Sequence, residues 1–182
     1  IVYDHFHLVK NFNDKVVSEV RKEEQKRLIE EGNTEAAKAL KGSKYVLMTS
    51  AETRKQKEKD AKAGKTIARG SDLFKKPEVK QKAGIEEEYK KLLDENKLFF
   101  TMDLVKEQLD KAYKANSERG MKNYIKRIIR TCKATENKHF IWFAKLLEEH
   151  MKGIISHARV HISSGKVEGT NQMIKTLRRK GY

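Results

Sequence analysis

A single cysteine, Cys132, leaves the chain without an intrachain disulfide and without a cysteine cluster to hold a structural zinc ion. A protein that dispenses with disulfides suits a reducing compartment, and a cytoplasmic location is expected. No apolar run approaches the length of a membrane span, and no segment resembles a signal peptide, so no membrane partner is expected. Proline is nearly absent, with Pro77 alone, and no internal repeat is visible. Between Ala51 and Gly70 apolar side chains are scarce among Lys, Glu, Arg and Asp. That stretch has no apolar face to bury and reads as a solvated helix, a loop, or both.

What is abundant is positive charge. Lys and Arg number 41 against 26 Asp and Glu, a formal net charge of +15. Such an excess favours a polyanion through release of its counterions, and nucleic acid is the first candidate. With 37% hydrophobic residues in 182, the chain can bury one core, or one core and a smaller lobe.

The opening Ile1-Val2-Tyr3 reads as a strand. A chain that starts inside a strand, without methionine, is expected to be an excerpt of a longer protein. After Asp4 a helical period sets in, with Phe12, Val16, Val17 and Val20 on one face, and runs to about Glu31, where Gly32-Asn33 signals a stop. Lys44 to Thr49 is short, apolar and β-branched, and predicts a second strand. Strand, helix and strand together predict a βαβ unit with parallel strands. Beyond Ile85 the pattern is helical. A helix near Ile85 to Glu95 precedes one built on Leu98, Met102, Val105, Leu109 and Ala112. A third follows a Ser117 cap and carries Met121, Ile125, Ile128 and Cys132, and a fourth carries Phe140, Phe143, Leu147, Met151 and Ile154. A last helix, past Ser163-Ser164-Gly165, has Val167, Ile174 and Leu177 on one face and Lys175, Arg178 and Arg179 on another.

Two carboxylates stand out. Asp4 ends the first predicted strand, the position at which open α/β sheets place ligands. Glu168 opens the last helix, with Asn171 and Lys175 projecting from about the same side. A divalent ion that approaches DNA phosphates takes hard oxygen ligands from several elements, and acids so placed could supply them. By spacing alone, a Glu in a first helical turn is better accounted for by the helix dipole than by a metal.

The segments around these acids carry more information. The opening Val2-Tyr3-Asp4-His5-Phe6-His7-Leu8-Val9-Lys10 and the closing run from Ser164 through Glu168-Gly169-Thr170-Asn171 to Gly181-Tyr182 resemble bacterial insertion-sequence transposases of the ISL-three lineage. Leu40 to Met48 and Leu104 to Leu109 resemble further segments of that family, so the resemblance spans nearly the whole chain. Ser164 and Thr170 stand where the family usually has asparagine. The resemblance implies that Asp4 is the second and Glu168 the third carboxylate of a DDE centre, with the first on a strand ahead of Ile1. It implies two Mg²⁺ or Mn²⁺ ions in the complete site, DNA as partner in the form of transposon ends and target, and a location at the bacterial nucleoid. His7 and Asn171 become candidates for supporting the site, and Lys175, Arg178, Arg179 and Lys180 for holding DNA.

The fold so implied is mainly α with a small βαβ remnant. It is a partial RNase H-like core over residues 1–50, a helical insertion over 51–161, and a catalytic helix over 162–182. Lacking the first acid, the excerpt alone is expected to be inactive. The alternative is a basic helical module that binds nucleic acid without chemistry. The insertion could also serve self-association, since transposases commonly act as multimers. Among other residues, His157 and His161 have the spacing of a zinc pair but no third ligand. Phe140 and Phe143 read as core, Trp142 as core or stacking surface, and Cys132 as a buried small hydrophobe.

Overall fold

The computed structural model describes residues 4–69, 76–80 and 83–160. Asp4, extended at φ −85° and ψ 163°, starts helix α1 (His5–Phe12), whose Leu8 and Phe12 lie one turn apart and are both buried. A π-helical turn, Asn13–Val17, follows. Its extra residue turns Val16 and Val17 to the interior together, before α2 (Ser18–Glu30) buries Val20. The helical run stops at Gly32, whose φ of 78° suits a residue without a Cβ. Asn33 then caps α3 (Thr34–Gly42), its Oδ1 accepting from the Ala36 amide at 3.2 Å.

The segment from Lys44 corrects the sequence reading. Lys44–Met48 is a short helix, α4, and not a strand. Ala37, Leu40, Ser43 and Leu47 are all buried, three, three and four residues apart, so the helical period of α3 continues across Ser43. Backbone and side chain both serve that continuation. The Ser43 hydroxyl donates to the Leu40 carbonyl at 2.8 Å, and the Leu47 amide donates to the Ser43 carbonyl at 2.9 Å. A half-buried strand would hide alternate residues, whereas Val46 and Leu47 are both buried and Tyr45 is 76% exposed. Packing has overridden a β-rich composition, and the predicted βαβ unit loses its second strand. Its first, Ile1-Val2-Tyr3, lies outside the described residues. The strands among the described residues are instead β1 (Thr66–Arg69) and β2 (Lys76–Lys80), paired antiparallel with Thr66 opposite Lys80.

Before the hairpin, Ser50 caps α5 (Ala51–Lys62) by accepting from the Thr53 amide at 3.2 Å. This charged helix does have an anchor, but the anchor is a cation. Arg54 is buried, donates to the Thr49 carbonyl at 2.6 Å and lies with its guanidinium carbon 3.4 Å from the Tyr89 ring centroid. Its Nε stands 3.4 Å from Glu86 Oε1. Glu58 of α5 also accepts from the amides of Gly84 and Ile85, at 2.9 and 3.2 Å, which caps α6 (Ile85–Glu95) from a distant helix. Arg54→Leu removes the stacking interaction and leaves a part-buried carbonyl and a part-buried carboxylate behind. It is expected to destabilise the protein by about 2–4 kcal/mol, read as a lowered urea midpoint.

Residues Val17–Phe100 form one compact unit, and the segments before Val17 and from Thr101 onward form another. The second draws on α7 (Lys97–Tyr113), α8 (Glu118–Ala134), α9 (Lys138–Glu149), α10 (Met151–Ile155) and α11 (His157–Val160). Of the expected stripe, Met102, Val105, Leu109 and Ala112 are buried, whereas Leu98 is half-buried and its neighbour Phe99 takes the buried place. Ser117 caps α8 as expected, its Oγ accepting from the Gly120 amide at 3.1 Å. Phe12 of α1 packs against the rings of Phe140 and Phe143, with centroids 6.1 and 4.8 Å away. Trp142, on the same helix as those two, is 39% exposed.

Cys132 is buried, and burial pushes its thiol up to about 12. With almost no thiolate near neutral pH, the native protein is expected to react with Ellman's reagent only as fast as it opens, and promptly once denatured. Prompt reaction of the native form would contradict the packing of α8. Among the described residues, no helix is long and apolar enough to cross a membrane.

Candidate active site

Asp4 occupies the N-cap of α1, a position where an aspartate is favoured because its carboxylate takes up an otherwise unpaired helix amide. Its Oδ1 accepts from the His7 backbone amide at 3.0 Å and lies 2.7 Å from His7 Nδ1. Two contacts from one residue, a turn further on, therefore fix the carboxylate. Asp4 is buried whereas the His7 side chain is about half exposed, so the pair sits at the rim between interior and solvent.

His5, on the other side of Phe6, reaches α7. Its Nε2 lies 2.9 Å from Asp110 Oδ1, and its ring meets that of Tyr113 at a centroid distance of 5.0 Å. Tyr113 in turn meets His157 at 4.7 Å, ring edge to face. The Tyr113 phenol is held above its usual range, first by burial and then by the negative charge of Asp4. Tyr113 thus feels the Asp4 charge while its ring touches that of His5. Asp110 and Tyr113 are not among the sequence candidates. They lie more than a hundred residues from Asp4 in the chain, and nothing local to them signals the contact.

Glu168, Asn171, Lys175, Arg178, Arg179 and Lys180 lie outside the described residues, as does His161, the second member of the candidate zinc pair. Among the described residues no group of three or more His, Cys, Asp or Glu is arranged to hold a metal ion. Asp4 nonetheless has the chemistry of one wall of a hard-cation site. It is a carboxylate oxygen donor at a solvent rim, with its orientation fixed by a histidine and a helix amide.

The model of a family of transposases, the DDE type of the ISL-three lineage, matches residues 1–182. The chain belongs to this family. Neither the curated proteins nor the solved structures gave a match to it. Membership makes the protein transposase-related, with DNA as the partner that the family implies and a DDE-type activity that in this family generally uses divalent metal ions. The basic composition of this transposase, +15 overall, fits that partner.

Proposed function

We propose that this transposase cleaves DNA at transposon ends and transfers strands through a DDE centre on an RNase H-like core, in which Asp4 and Glu168 are two of the three carboxylates. The observation that carries the reading is Asp4: a buried, conformationally fixed carboxylate at a solvent rim, set in a chain that the family matches from end to end. Asp4 and Glu168 would hold the metal. When bound, a pair of divalent ions, Mg²⁺ or Mn²⁺, activates the attacking oxygen and stabilises the leaving oxygen of an in-line displacement at phosphorus.

The protein's own side chains do the rest of the work by position. His7 holds Asp4 Oδ1 in one orientation, so that the carboxylate need not reorganise when DNA arrives. Asn171, three residues after Glu168 in the sequence, would support it. Lys175, Arg178, Arg179 and Lys180 neutralise phosphates next to the scissile bond and keep the strand in line. The test is a cleavage assay with the complete protein and a duplex carrying the element's end, in Mg²⁺. Metal-dependent nicking at the end supports the reading, and tight binding with no cleavage in either Mg²⁺ or Mn²⁺ supports a non-catalytic binding module instead.

A further inference from the structure

Among the described residues, several helices pair cations with acids of the same helix. On α2, Lys22 pairs with Glu19, Lys26 with Glu30, and Arg27 with both Glu24 and Glu31. On α5 Lys62 pairs with Glu58, and on α7 Lys111 pairs with Glu107. Helix α8 departs from this pattern. Its one acid, Glu118, faces Arg159 at 3.8 Å. Arg119, Lys122, Lys126 and Arg130 are all exposed, and none of them meets an acidic side chain among the described residues.

Those four cations follow one another at spacings of three, four and four, so they fall in one stripe along the helix. At a rise of about 1.5 Å per residue the stripe is roughly 17 Å long. The opposite face, with Met121, Ile125, Ile128 and Cys132, is buried in the protein core. That excludes an anionic bilayer as the natural partner, because a membrane-surface helix must have its apolar face available to lipid. Duplex DNA carries one negative charge per roughly 1.7 Å of axis, so it meets such a stripe with phosphates along its whole length.

We propose that the exposed face of α8 binds the sugar–phosphate backbone of duplex DNA through Arg119, Lys122, Lys126 and Arg130. This is a second DNA-contacting surface, distinct from the basic run that follows Glu168. It rests on the reading of the protein as one that handles DNA, but not on the assignment of the carboxylates. Binding to phosphates alone carries no sequence information, so the surface adds affinity and holds the orientation of a duplex whose sequence is read elsewhere.

The experiment is a salt series. Binding of the complete protein to a labelled duplex of arbitrary sequence is followed by anisotropy, for wild type and for the variant with Arg119, Lys122, Lys126 and Arg130 all changed to Gln. Each phosphate that is no longer neutralised reduces the slope of log K against log salt by about 0.9, so the variant is expected to show a slope shallower by roughly three to four, with affinity at least tenfold lower near 0.1 M salt. A control with Lys22→Gln and Lys26→Gln, two cations already paired on α2, is expected to change the slope little. Should the fourfold variant fold poorly by circular dichroism, Lys126→Gln with Arg130→Gln carries the test, with a slope change of about two. Wild-type slope and affinity in these variants would overturn the proposal, as would weakened RNA binding with duplex binding intact. The salt series reads binding and the end-cleavage assay reads chemistry, so failure of the α8 surface and failure of the catalytic reading give different results.

Discussion

Replacing Asp4 by asparagine is expected to leave the protein folded and bound to DNA while lowering cleavage by about a thousandfold or more. The choice of asparagine is what gives the experiment its force. Asp4 has a structural duty as the cap of α1, met by Oδ1. Asparagine caps a helix about as well as aspartate and offers an amide oxygen in the same place. The cap therefore survives, the thermal midpoint should hardly move, and only the negative charge and the second carboxylate oxygen disappear. Alanine would be a poorer probe, because it also removes the cap, a loss of about 1 kcal/mol. If Asp4 is no more than a cap, Asp4→Asn will cleave at the wild-type rate. Glu168→Gln is the companion variant, with the same expected loss of cleavage and the same retained affinity for DNA.

The largest effect on stability is expected at Phe12. Its ring is fully buried and packs on Phe140 and Phe143, so truncation to alanine both removes a large apolar surface and empties a space that the neighbouring rings cannot refill without moving. A loss of about 3–5 kcal/mol is expected for Phe12→Ala, read from denaturant unfolding with an unchanged slope. The variant also has a functional reading, because Phe12 and Asp4 share α1. The cap end of that helix is held at His5 by Asp110 and Tyr113, and its far end by the aromatic cluster. Loosening the far end should lower cleavage more than it lowers DNA affinity. A destabilisation below about 1 kcal/mol would contradict the packing described for α1.

The sequence is most legible where hydrophobic periodicity is long and uninterrupted. Met102, Val105, Leu109 and Ala112 announce α7, and Ser117 announces the start of α8, because both signals are local and repeat at the helical period. Lys44 to Met48 misleads for the opposite reason. Five residues hold too little periodicity to separate a strand from a helix, and the information that decides it, the burial of Ala37, Leu40 and Ser43, lies upstream, in α3 and at the residue that joins it to α4. The anchor of α5 is hidden because it is Arg54, a residue that pattern reading assigns to solvent.

The site shows the same division. Asp4 stands out by its place at a predicted strand end and by the family segment around it. Its role as a helix cap is also legible in principle, since an Asp just before a helical period is an N-cap signal, but the strand reading obscures it. The contact of His5 with Asp110 and Tyr113 is not legible, because it depends on how α7 returns to α1. The family is legible from segments at both ends of the chain, and the family match covers residues 1–182.

The most direct test of the central claim, that Asp4 and Glu168 share one metal centre, is a crystal structure of the complete protein soaked in Mn²⁺, with the ions located by anomalous scattering. The account predicts manganese within about 2.0–2.4 Å of a carboxylate oxygen of Asp4 and of Glu168, and the two carboxylates within roughly 8 Å of one another. Carboxylates more than roughly 15 Å apart, with no manganese at Asp4, would contradict it and leave Asp4 as the cap of α1 alone.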